Sequence, residues 1–231
     1  MLGIIDYVYA SLNRSLRESV PPPFVRGDGN DWFCFFPTFV LKNQWWLDAF
    51  SPPGRCHVFP VTARYHMRAD PGESLLRLDH TFGQAVEQVP QGKRVNVMGI
   101  SLGSPLAVRL AAQVDLDHLV LVVPGDRLGP CAWESRLTGP WVREFAGGVD
   151  VYAAALRVYD PVEYVDGISP KKITLYLGGC DTFIRARGGV ELAARLSAVH
   201  QNVEVKRYPL ADHSAALFFA ARDCKKRFAK A

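Results

Sequence analysis

The chain has 231 residues, 48% hydrophobic and 22% charged, with a formal net charge of +4. That length suits a single α/β domain with room for a real core, and the balance is that of a globular chain rather than a disordered one. No run approaches the roughly 20 apolar residues that span a bilayer, so an integral membrane segment is not expected.

Near the start, Ile5, Val8, Leu12 and Leu16 recur at helical spacing, which predicts an amphipathic helix over 2–16 packed on the core. Pro21, Pro22 and Pro23 end it. Phe24 to Arg26, a Gly-Asp-Gly-Asn-Asp turn and Trp32 to Phe36 are expected to form a hairpin. From there strands and helices alternate. Strands are predicted near 32–37, 56–61, 94–99, 118–123, 172–177 and 203–208, and helices near 43–50, 74–89, 102–113, 186–199 and 214–228. Leu119 to Val123 is apolar on both faces, as a central parallel strand covered by helices should be. The pattern predicts a doubly wound, mostly parallel sheet flanked by helices, with ligands bound beyond the carboxyl ends of its strands.

The five cysteines are odd in number and have no metal-type spacing, which points to a reducing compartment. Asp6 interrupts the first apolar stretch and no basic start precedes it, so the expected address is cytoplasmic. Arg222, Lys225, Lys226, Arg227 and Lys230 cluster near the end. The expected role of these cations is a solvated last turn that suits the negative end of a helix, and the alternative is contact with acid lipid or nucleic acid.

The segment Val95 to Ala107 carries the most chemistry. It reads as an apolar strand, then Gly99-Ile100-Ser101-Leu102-Gly103, then an Ala/Leu-rich helix. This is the pattern of a nucleophile elbow, in which a serine sits on a sharp strand-to-helix turn and the flanking glycines avoid collision with neighbouring backbone. A serine hydroxyl needs a base, usually a histidine held by a carboxylate. Asp181 follows the strand Ile173 to Leu177 through Gly178-Gly179-Cys180, and His213 follows the last strand on the loop before the final helix. Two other carboxylates compete. Asp126 follows the strand 118–123, and Asp212 adjoins His213, where a solvated position is expected; Asp181 has the better motif context. His57 and His118 are expected to be structural residues in or beside strands.

The order Ser101, Asp181, His213, with the segments Gly99 to Gly103, Leu177 to Asp181 and Tyr208 to His213, resembles the α/β-hydrolase superfamily over about residues 24–228. The resemblance implies Ser101 as nucleophile, His213 as general base then acid, and Asp181 as the group orienting the imidazole. It also implies an oxyanion hole from the N–H groups of Leu102 and Phe39. Pro37-Thr38-Phe39 stands where the family commonly has His-Gly and the donor residue, so this loop departs from the pattern.

The family usually places a cap insertion after the corresponding strand. Here 126–159 would form one or two short cap helices on a single domain spanning 1–231. Trp133, Trp141 and Phe145 from the insertion, with Trp45 from the oxyanion side, are expected to line an apolar acyl or aryl pocket. Phe36-Pro37 and Phe59-Pro60 also resemble type II thioesterases faintly, without their His-Ala-Gly-Gly segment. The expected activity is therefore cofactor-independent, metal-free hydrolysis of a carboxylic ester. Alternatives are hydrolysis of an acyl thioester on coenzyme A or an acyl-carrier protein, and a ligand-binding protein of the same fold with little turnover. No nucleic-acid partner is expected.

Overall fold

The computed structural model describes residues 20–228; the helix expected over 2–16 lies outside them. Seven strands form one sheet: β1 (Phe24–Arg26), β2 (Asp31–Pro37), β3 (Arg55–Val61), β4 (Val95–Ile100), β5 (Leu116–Val122), β6 (Lys172–Gly178) and β7 (Val203–Tyr208), in the order β1-β3-β2-β4-β5-β6-β7. All neighbours are parallel except β1, which runs antiparallel to β3.

The expected hairpin does not form. Phe24 pairs with Val58 of β3, not with β2. The reason is topological: β2 uses one edge for β3 and the other for β4, through Phe35 opposite Phe59 and Gly99, so no edge is left for β1. β1 lies instead on the outer edge of β3, and the chain leaves it past Gly27, packed against Gly54, to reach β2.

Alternation along the central strands builds two cores. Phe33 and Phe35 of β2 join Phe59, Val97, Leu119, Leu121 and Leu175 on one face, beneath the helices Pro71–Val86, Ser104–Ala111 and Ala186–Val199. Trp32, Cys34 and Phe36 join Val58, Met98, Val120 and Tyr176 on the other, beneath Gln44–Phe50 and His213–Phe228. Side chains two apart on a strand share a face, so each strand serves both layers. His57 stays within β3, bonded to Gln88 and Asp31 at 3.0 Å each, and His118 within β5 bonds Thr174.

Between β5 and β6 the chain makes three short α-helices, Leu128–Glu134, Gly139–Val142 and Gly148–Leu156, where the sequence suggested one or two, followed by three single-turn 3-10 helices. The base of this insertion is pinched shut. Asp160 Oδ1 accepts the Leu128 N–H at 2.7 Å, and the Val162 N–H donates to the Asp126 carbonyl. Among the described residues, no helix is long and apolar enough to cross a membrane.

Candidate active site

β4 enters the sheet centre as an apolar strand and breaks at Ser101, whose φ of 53° lies in the left-handed region. A non-glycine residue there is strained, and the surrounding close packing holds it. A β-carbon on Gly103 would lie 2.1 Å from the Phe35 carbonyl oxygen, and one on Gly99 would lie 2.6 Å from the Ala107 β-carbon. The turn can therefore lie flat on β2 and on its own helix only with glycine at both positions. Ser104 Oγ donates to the Gly99 carbonyl at 3.2 Å and ties the helix start back to the strand.

β6 ends at Gly178, and the loop beyond it carries Asp181. A β-carbon on Gly179 would sit 2.2 Å from the Pro209 carbonyl oxygen, so this loop lies directly on the loop after β7. That contact brings the two strand-end loops together. His213 Nδ1 and Asp181 Oδ2 are 2.6 Å apart, with both side chains almost fully buried. Asp181 Oδ1 faces the other way and accepts the N–H groups of Phe183 and Ile184, each at 2.9 Å. The carboxylate is thus clamped by charge-assisted hydrogen bonds that fix its rotamer. Phe183 packs on the imidazole with ring centroids 5.3 Å apart.

The competing carboxylates do other work. Asp126 lies 4.0 Å from Arg127 Nε and faces Cys131. Asp212 is not solvated, contrary to expectation: it is buried, and its Oδ1 accepts the Ala215 N–H at 2.8 Å in the first turn of the final helix.

Ser101 and His213 line one pocket, together with Leu102, Met67, Leu128, Ala132, Phe183 and Ile184 among others. Two of its five hydroxyls are engaged internally. Ser135 Oγ accepts the Leu137 and Thr138 N–H groups, and Thr138 Oγ1 donates to the Ala132 carbonyl at 2.5 Å. The Cys131 thiol is pushed up to about 12 by burial, so it is a neutral wall group. Among the described residues, Arg127 is the one Lys, Arg, Asp or Glu on this wall.

The aromatic residues expected to line the pocket are elsewhere. Trp45 stacks on Phe218. Trp141 donates its Nε1 hydrogen to the Met67 carbonyl at 2.8 Å, while Trp133 and Phe145 pack on Tyr152. None of the four is on the cavity wall. Leu102 is on the wall, but Phe39 is not: its ring lies edge-on to Trp46, and the residue that the 38–41 turn presents to the cavity is Thr38. The actual lining carries a signal in the sequence. Leu128, Cys131, Ala132 and Ser135 fall at i, i+3, i+4 and i+7, one face of a helix.

At the end of β5, Val123 also has a left-handed φ, 47°, and donates its N–H to the Tyr176 carbonyl at 2.8 Å. This strained β-branched residue turns the chain toward Gly125, another wall residue.

No protein-family model matches the sequence, and no curated protein matches it. Solved structures do match in three dimensions. An acylaminoacyl peptidase from Pyrococcus horikoshii superposes with a TM-score of 0.56 at 11% identity, covering 95% of this chain and 42% of that one. An esterase from Pyrococcus furiosus gives 0.56 at 18% identity, covering 90% and 86%. The fold is that of the α/β-hydrolases. A monoacylglycerol lipase from Paleococcus ferrophilus, at 0.53 and 12% identity, is covered over its full length by 91% of this chain. This domain thus spans 42% of the peptidase, 86% of the esterase and the full length of the lipase.

Proposed function

We propose that this protein is a serine hydrolase that cleaves a carboxylic ester with an apolar acyl group. One observation carries the reading: His213, held by Asp181 at 2.6 Å, shares a cavity with a serine in strained left-handed backbone at a strand-to-helix turn. That is the arrangement in which an imidazole takes a hydroxyl proton during acyl transfer.

In this mechanism Ser101 Oγ attacks the carbonyl carbon while His213 Nε2 takes the hydroxyl proton. Asp181 keeps Nδ1 protonated and balances the imidazolium charge. The N–H of Leu102, with one from the turn at Thr38-Phe39, would hold the oxyanion. His213 then gives its proton to the departing alkoxide, and water, deprotonated by His213, attacks the acyl-enzyme to release the acid. The apolar wall favours an acyl chain over a charged or sugar-like group. The similarity to esterase and lipase structures supports the same reaction class, by analogy of fold. An acyl thioester would present the same acyl group to the same wall.

A fluorophosphonate probe together with a panel of p-nitrophenyl esters and matched acyl thioesters of graded length tests this reading. The expected result is labelling at Ser101 alone, loss of labelling and turnover in Ser101→Ala, and ester hydrolysis that exceeds thioester hydrolysis. Labelling that persists in Ser101→Ala would overturn the assignment, and preferential thioester turnover would move the substrate class.

A further inference from the structure

The outward face of the final helix has a composition that neither the fold nor the candidate site requires. Along His213–Phe228 the exposed residues are Phe218, Phe219, Arg222, Lys225 and Lys226. Two are aromatic, three are cationic and none is acidic. Phe218 and Phe219 are each 42% exposed, and Trp45 from the neighbouring helix, 38% exposed, stacks on Phe218 at 5.6 Å. Arg222 lies over the Phe218 ring at 5.9 Å. Leu210, on the loop leading into this helix, is 85% exposed.

The cations on this face differ from those just behind it. Arg227 and Lys206 are neutralised by Glu204 and Asp223. Among the described residues, no carboxylate lies within ion-pair distance of Arg222, Lys225 or Lys226. The nearby acid on the Trp45 helix, Asp48, is already engaged by Arg26 and Gln44.

We propose that this face docks on an anionic lipid bilayer. Exposed Trp, Phe and Leu side chains enter the headgroup boundary, and unpaired Lys and Arg beside them are drawn to acidic headgroups. Other occupants suit the surface less well. Segment 1–19 has two acids, Asp6 and Glu18, against Arg14 and Arg17, so it offers no net negative charge to three cations. A symmetric second copy would set the three cations against themselves. Single-stranded nucleic acid stacks its bases on open ring faces, but Trp45 and Phe218 already cover one another, and Leu210 offers no ring. The inference does not depend on the hydrolase reading, since none of these residues is on the cavity wall.

The test is co-sedimentation of the full chain with sucrose-loaded vesicles at low salt, comparing pure phosphatidylcholine with vesicles in which a third of the lipid is phosphatidylserine. The full chain should pellet with the anionic vesicles and stay in solution with the neutral ones. Reversal of two cations in Lys225→Glu/Lys226→Glu should weaken pelleting by about tenfold or more, and Lys225→Arg/Lys226→Arg should retain it. Trp45→Ser should weaken it severalfold, with melting curves as the control for folding. Equal pelleting with both vesicle types, pelleting with neither, or undiminished pelleting of the charge-reversed pair would overturn the proposal. So would tighter binding to a single-stranded oligonucleotide than to the anionic vesicles, or a dimer that Phe218→Ser dissolves.

Discussion

Asp181 and His213 are separated by 32 positions in the chain and by 2.6 Å in space. Because the other carboxylate oxygen is held by two backbone N–H groups, the pair is rigid. Asp181→Asn keeps the shape but removes the charge that favours imidazolium and the acceptor that fixes the tautomer. Ester turnover should fall by about a thousandfold or more, with little change in KM. Asp126→Asn, which alters a carboxylate facing Arg127 and Cys131, should keep turnover within severalfold of wild type. Steady-state kinetics on one soluble ester decides between them, and the reverse ranking would reassign the acid.

The glycine at 103 tests how the turn is built. With the Phe35 carbonyl oxygen 2.1 Å from a hypothetical β-carbon, Gly103→Ala must push the turn off β2 or unpair it. A cost of about 2–4 kcal/mol is expected, read as a fall in melting temperature together with loss of probe labelling at Ser101. Gly83→Ala, in the helix Pro71–Val86 with open space around the added carbon, should leave labelling intact and stability unchanged or slightly raised. Equal tolerance at both sites would show that the turn has slack.

These local relations explain what the sequence could disclose. The strand 95–100, its turn and its helix are adjacent in the chain, so periodicity and two glycines suffice to place Ser101. Asp181 and His213 follow strand ends, and in a parallel sheet those ends share one rim. Pairing partners are a different matter. Nothing in Phe24-Val25-Arg26 says which edge is open; that depends on β2 being flanked by β3 and β4. The pocket wall shows in the sequence only as the helical spacing of Leu128, Cys131, Ala132 and Ser135, while the aromatic residues nearby mislead. Trp133, Trp141 and Phe145 are large and apolar wherever they point, and only packing on Met67 and Tyr152 turns them away from the cavity. Small residues such as Ala132 line it instead, and composition gives such residues no prominence.

That wall predicts a change in acyl-length selectivity. Ala132 sits on the cavity face of the helix Leu128–Glu134. Ala132→Phe should fill much of the space and exclude long acyl chains while leaving acetyl esters room to react. On p-nitrophenyl esters, kcat/KM for octanoate should fall by about tenfold or more relative to acetate, since each buried methylene contributes about 0.8 kcal/mol. A parallel loss for both esters would place the acyl chain elsewhere.

Stability should also depend on pH through groups outside the candidate triad. Burial lowers His66 and His118 from 6.5 to about 4, so the folded protein holds both neutral. The unfolded chain protonates each near 6.5, and between about 6.5 and 4 it binds more protons than the folded chain. Their contribution is complete above pH 6.5 and is lost as the pH falls toward 4. For fully buried His66 this is on the order of 3 kcal/mol. Asp160 works in the opposite direction. Burial raises it from 3.8 to about 6, so the folded state binds the extra proton between those values, and acidification gives back part of what the histidines lose. Melting temperature should therefore drop between pH 7 and 4.5. His66→Gln, which can keep hydrogen bonds toward Thr62 and Thr81, should flatten that drop, and Asp160→Asn should steepen it. A His66→Gln profile as steep as wild type would mean that the buried imidazole is not what the acid attacks.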